Sequence, residues 1–140
     1  MKAIELAKAY DPKTFEDRIY QAWTQEGLFK PAAGQQTPFT IVMPPPNVTG
    51  ILHMGHALNN SLQDILTRYY RMTGRPTLWV PGTDHAGIAT QNVVERQLAK
   101  EGLRRQDLGR DRFLECTWQV KEKHHSIIKE QLQKIGCSCD

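Results

Sequence analysis

Between Asp11 and Gly27 polar residues are interrupted by Phe15, Ile19 and Trp23, spaced four apart, so the three fall on one side of a helix. Asp11 is placed as its N-cap, Pro12 as its first residue and Gly27 as its stop. Residues 30–38, KPAAGQQTP, are punctuated by Pro and Gly and read as a loop, after which FTIVM has the composition of a buried strand ending at Pro44. Beyond NVTG the pattern changes period. Leu58, Leu62, Ile65, Leu66, Tyr69 and Met72 recur at intervals of three and four until Gly74, which predicts a helix of roughly four to five turns.

TLWV at 77–80 predicts a second strand. Strand, helix, strand implies a right-handed crossover with parallel strands, and parallel strands call for cover on both faces. A short helix near 90–101, with Val93, Val94 and Leu98 inward, and a longer one near 111–134, carrying Phe113, Trp118, Ile127, Ile128 and Leu132, are the expected cover. Trp79, Trp118, Tyr69 and Tyr70 lie on the periodic apolar faces and read as core or interface aromatics rather than base-stacking platforms. Neither repeats nor low-complexity tracts are visible.

Composition adds limits. At 140 residues, 39% hydrophobic and 24% charged, the chain has the make-up of one globular domain. A net charge of +3 names no nucleic acid or membrane partner. From Pro31 to Gln63 there is no Asp, Glu, Lys or Arg, but five prolines and three glycines in that window rule out a membrane span. Three cysteines, an odd number, with no leader-like N-terminus argue for reduced thiols and a cytoplasmic setting. Cys116 reads as a small buried residue; Cys137 and Cys139, one residue apart, cannot easily bridge one another.

Two segments stand out, PPPNVTG and PGTDHAG, each directly after a strand. Ligands of open parallel sheets bind beyond the carboxyl ends of the strands, so the two should meet at one site. LHMGH falls at the start of the central helix, where free N–H groups and the positive end of the dipole favour a phosphate. His53 and His56 put two imidazole donors on one side of that turn, and Gly55 leaves room for a flat base against the backbone. Two plainer readings compete: half a zinc site completed by His85 or by Cys137 and Cys139, whose spacing does not suit it, and a simple structural helix start. For Asp84, after Gly82-Thr83, the plainer and less favoured reading is a turn or cap aspartate.

Taken together, His53-Met54-Gly55-His56 and its flanks, PPPNVTGILHMGHALN followed by RYYRMTGRPTLWVPGTDHAGIATQ, resemble the class I aminoacyl-tRNA synthetases, and among them the valyl branch. The branches for isoleucine and leucine have Gly-Trp-Asp where this chain has Gly82-Thr83-Asp84. KHHSII at 123–128 departs from the family, which more often has a glycine-containing turn there. The resemblance implies an α/β fold, the first part of a Rossmann-like catalytic domain with parallel strands and an N-terminal helix. Residues 1–38 would form the helical segment and linker, and 39–140 the first half of the catalytic domain, up to the editing insertion.

The implied activity is ATP-dependent activation of valine to valyl-adenylate and its transfer to tRNA(Val). Mg2+ would arrive with ATP, and the full-length enzyme would be monomeric and off the membrane. His53 and His56 would meet the ATP phosphates as catalytic residues, and Gly55 would admit adenine. Asp84 would receive the α-ammonium of the amino acid, Asn47 would orient it, and Pro44 and Pro45 would wall its side chain. An ion pair at about 4 Å in such a cleft has a Coulomb term of about 4 kcal/mol before desolvation. The attacking carboxylate is already ionised, so the first step needs alignment and charge stabilisation rather than a base. By itself the segment is expected to be incomplete and marginal in stability, with tRNA contacts and the cationic loop for pyrophosphate supplied elsewhere. The rivals are a non-catalytic nucleotide-binding module, a truncated product without activity, and another nucleotidyltransferase of the same superfamily.

Overall fold

A computed structural model describes residues 8–140; the first seven residues of the expected 1–38 segment lie outside the described part. Helix α1 runs Pro12–Gln25, strand β1 Phe39–Val42, helix α2 Met54–Met72, strand β2 Thr77–Val80, helix α3 Gly87–Lys100, a single turn α4 Arg105–Leu108 and helix α5 Arg110–Lys134. The strands are parallel, with Phe39 opposite Thr77 and Val42 opposite Val80. The carbonyls of Pro76 and Val80 accept from Phe39 and Met43; Trp79, in the opposite phase, turns its carbonyl to the other edge and accepts from Asp140 N–H at 3.2 Å. The C-terminal residues therefore begin a third position beside β2.

The core is in two parts. Trp79, with 0% of its surface exposed, sits among Met43, Val48, Ile128, Leu132 and Cys137, so the C-terminal half of α5 packs on the end of the sheet. Val94 and Leu98 of α3 meet Phe113 and Val120 of α5 in the second cluster. This pairing overturns the expectation of cover on both sheet faces. Helices α3 and α5 bury their apolar sides against each other, and Thr40, Val42 and Val80 on the outer face stay exposed, Val42 at 70%.

Helix α2 turns its apolar stripe outward: Leu58, Leu62, Ile65, Leu66, Tyr69 and Met72 are all exposed, Met72 at 87%, and its buried residues are Asn60 and Thr67. The inward side is held by hydrogen bonds. Trp79 Nε1 donates to Gln63 Oε1 at 3.0 Å. The carboxylate of Asp64 accepts from the Ser138 amide at 3.1 Å, from the Ser138 hydroxyl, and from Arg68 Nε at 2.8 Å. Arg68 also donates to the Gly136 carbonyl, and Arg71 donates to Ser138 Oγ and the Phe29 carbonyl. Charged groups removed from water in this way require partners, and these supply all but one: Arg71 Nε is buried without a hydrogen-bond partner among the described residues.

Asp11 caps α1, its Oδ1 accepting from Lys13 N–H at 3.1 Å, and Gly27, at φ +66°, permits the reversal that ends the helix. Phe15 and Ile19 are exposed rather than buried; α1 docks through Tyr20, whose hydroxyl donates to the Cys137 carbonyl, and Trp23, which lies under the Arg68 guanidinium. Burial, then the nearby Cys139, pushes the Tyr20 hydroxyl up to about 12, and burial above all pushes the Cys137 thiol up to about 12. Trp118 is also exposed, while Cys116 is half-buried against the second cluster. Among the described residues no helix is long and apolar enough to cross a membrane.

Candidate active site

The segments after the two strands are joined by backbone. Asp84 N–H donates to the Pro46 carbonyl at 2.9 Å and Val48 N–H donates to the Asp84 carbonyl at 3.0 Å, so Asn47 and Asp84 form a parallel bridge beyond the strand ends. Leading into α2, Leu52 N–H donates to Gln131 Oε1 at 2.8 Å, which ties the residue before the first histidine to α5. Between these ties lies an open recess of about 390 Å³, lined by Pro45, Pro46, Asn47, Thr49 through Leu52, His53 and His56.

His53 is the N-cap of α2. Its Nδ1 accepts from Gly55 N–H at 3.1 Å, and Nδ1 of His56 accepts from His53 N–H at 3.2 Å. An imidazole nitrogen that accepts carries no proton, so both neutral rings carry theirs on Nε2. Two N–H donors are thus presented at a helix start, with ring centroids 4.0 Å apart. Burial, and secondarily His53, lower the pKa of His56 from its ordinary 6.5. The arrangement of neutral donors at the positive end of a helix suits an anion.

Gly55 acts differently from the expectation that it simply leaves space. A Cβ there would lie 3.0 Å from His53 Cε1 and 3.1 Å from Nδ1, so the glycine makes room for the capping ring itself.

Asp84 is exposed; its Oδ1 accepts from Ala86 N–H at 2.9 Å, and among the described residues Oδ2 takes no hydrogen bond. The turn role and the availability for a cation therefore coexist in one carboxylate. Ala86, with φ +44°, is in the left-handed region at the N-cap of α3, a conformation that costs an L-residue about 1 kcal/mol. Pro44 is exposed and outside the recess, which Pro45 and the buried Pro46 line instead; Gly82 approaches Pro45 from the second segment.

Three residues of this neighbourhood were not foreseen at the site: Gln131 on Leu52, His125 on Thr83 (Nδ1 to Oγ1, 3.0 Å) and Trp118, read from the sequence only as a core or interface aromatic, edge-on to His85 (5.7 Å). All reach from α5, far along the chain. The described residues include no group of three or more His, Cys, Asp or Glu placed to hold a metal ion.

Two loops bridged beyond the ends of parallel strands, one leading into a helix start with two imidazole donors and the other carrying an exposed carboxylate, stand on a Rossmann-like sheet, and the chain belongs to the class I tRNA synthetases. Residues 18–140 match the family described as tRNA synthetases class I (I, L, M and V). Among similar proteins are the valine–tRNA ligases of Treponema denticola, 58% identical over 142 residues, and Chlamydia caviae, 56% identical, each match covering 100% of this chain. That of Chromobacterium violaceum is 58% identical over 97% of the chain. The chain spans only 16%, 15% and 15% of these relatives. The LeuRS-tRNA-LeuAMS ternary complex of Agrobacterium radiobacter matches 94% of this chain and 15% of that one at 20% identity, with a TM-score of 0.72, a likeness of fold.

Proposed function

We propose that this chain supplies the first half of the ATP and valine site of a valine–tRNA ligase. The observation that carries the reading is the match across the whole chain to valine–tRNA ligases at 56–59% identity. In this reading a carboxylate oxygen of valine attacks the α-phosphorus of ATP. The bond from that phosphorus to the β-phosphate oxygen breaks, and pyrophosphate leaves without any proton transfer. The Nε2–H groups of His53 and His56 stabilise the charge that builds on the phosphate oxygens in the transition state, which is where preorganised donors act most strongly. The adenine lies near Gly55.

Asp84 Oδ2 takes the α-ammonium of valine, Asn47 on the bridged strand end orients the amino acid, and Pro45 and the buried Pro46, which line the recess, stiffen the wall for a small branched side chain. Transfer to the terminal ribose of tRNA(Val) then uses surfaces outside these residues. Mg2+ is ATP's companion: the donor set here is imidazole and backbone N–H, which does not fit a hard cation that seeks oxygen. A cytoplasmic, monomeric enzyme is the accompanying reading.

The test joins residues 1–140 to the remaining part of the Treponema denticola ligase in place of its own matching segment and measures ATP–pyrophosphate exchange. Exchange that depends on valine, and a valine KM raised at least tenfold by Asp84→Ala, are the expected results. A folded chimera that exchanges with no amino acid, or whose valine KM ignores Asp84→Ala, overturns the reading.

A further inference from the structure

Asp84 sits at a turn whose shape is not set by the turn alone. Its backbone is fixed by the bonds to Pro46 and Val48, and the residues on either side of it are each met by a side chain of α5. Thr83 Oγ1 is 3.0 Å from His125 Nδ1, a part-buried contact between residues 42 apart in sequence. His85 meets the ring of Trp118 edge-on. Trp118 and His125 are about two helical turns apart on one side of α5. Farther along that side Ile128, 1% exposed, is buried against Trp79, the penultimate residue of β2. Helix α5 therefore grips both the strand and the loop that leaves it.

Resting on the reading of Asp84 as the ammonium partner, we propose that His125 is a positioning residue for substrate amino acid, acting through Thr83 on the loop that carries Asp84. A carboxylate that must meet an ammonium group on one free oxygen depends on the direction of its Cα–Cβ bond. That direction follows the neighbouring peptide units, so a hydrogen bond at Thr83 is transmitted to Asp84 without touching substrate. The Trp118 contact on His85 is a van der Waals one and restrains position; the His125–Thr83 bond is directional and restrains rotation. In the same reading the phosphates meet His53 and His56 at the start of α2, to which His125 makes no hydrogen bond among the described residues, so His125 bears on the amino acid and not on ATP.

The test uses the complete ligase carrying this segment, with the chimera above serving equally. His125→Ala is expected to raise the valine KM about fivefold or more while the ATP KM and kcat stay within about twofold, the pattern of a binding-geometry defect. The amide of asparagine overlays the ring's Cγ–Nδ1 edge and that of glutamine the Nε2 end, so His125→Asn restores the valine KM and His125→Gln does not. Thr83→Val reproduces the defect, and adding it to His125→Ala costs nothing more, since both remove one bond.

An unchanged valine KM in His125→Ala overturns the proposal, as does equal rescue by Asn and Gln or a parallel loss in every constant. If His125→Ala fails to fold, the Asn and Gln variants decide by the same criterion. Asp84→Ala separates the two readings: if it leaves valine KM unchanged the function itself is wrong, and if it alone raises KM only the role of His125 is wrong.

Discussion

The amide of Gly55 donates to the ring of His53 at 3.1 Å, and the same glycine stands so close beneath that ring that a Cβ would lie 3.0 Å from Cε1. Donor and clearance are thus supplied by one residue. A helix ordinarily gains about 1 kcal/mol when an interior glycine becomes alanine. Here the gain is set against displacement of the capping imidazole. Gly55→Ala should leave thermal stability of the 140-residue chain within about 1 kcal/mol of the parent, while the His53 ring resonances shift and adenylate formation in the complete ligase falls at least about tenfold. A variant with unchanged His53 resonances and full adenylation would show that the ring has room to spare.

Protonation should undo the same helix start. His56 holds its pKa below the ordinary 6.5, first through burial and then through His53. Between that lowered value and 6.5 the unfolded chain binds the proton more readily than the folded one, so stability is fully present above 6.5 and declines as pH falls through the folded value. The structure gives the reason: an imidazolium has no acceptor for the His53 N–H and adds positive charge to the positive end of a dipole. Chemical shifts of His56 followed from pH 8 to 4 should titrate below 6.5, with helix content near residue 54 lost in step. A midpoint above 6.5 contradicts the geometry.

The polar inward side of α2 should be energetically costly to disturb. Asp64 joins the Ser138 amide and hydroxyl to Arg68, and Arg71 continues the network from Ser138 to Phe29. Removing the Asp64 side chain takes the carboxylate from the half-buried Arg68 guanidinium and the acceptor from both Ser138 donors, so Asp64→Ala should destabilise the chain by about 2 kcal/mol or more. Ser138→Ala, which leaves the ion pair between Asp64 and Arg68, should cost about 1 kcal/mol. Urea unfolding of the three proteins measures both; equal losses would mean that Ser138 and not the carboxylate organises the network.

These contrasts show what the sequence carries. The two strands, the crossover helix and the meeting of PPPNVTG with PGTDHAG were legible, because period and strand ends are local properties and ligands gather beyond parallel strands. The orientation of α2 was not. Leu58, Leu62, Ile65 and Tyr69 announce an apolar side, but periodicity does not say what that side faces, and the decision comes from bonds to residues 136–138, far along the chain. The histidine motif was visible as a helix start; that its rings cap the helix and brace its first turn, and that Gly55 serves the ring, depends on rotamers that spacing does not set. Gln131, His125 and Trp118 reach the site across 79, 42 and 33 residues of intervening chain, and nothing in their local sequence says that they meet these loops.

The exposed stripe on α2 makes the last prediction. Leu62 is 57% exposed and Tyr69 59%, and the packing lost with them is small, chiefly the edge-on contact of Tyr69 with Tyr70 at 5.3 Å. Both are good helix positions, and glutamate and lysine are at least as favourable there as the residues they replace. Leu62→Glu with Tyr69→Lys should therefore change the unfolding free energy of the 140-residue chain by no more than about 0.5 kcal/mol, as ordinary surface substitutions do. The same pair removes the middle of a continuous apolar strip, and strips of this kind drive self-association. Light scattering at rising concentration should show the parent chain associating and the double variant remaining dispersed. A loss of about 2 kcal/mol or more would place these side chains in a packed core and reverse the orientation of the helix described above.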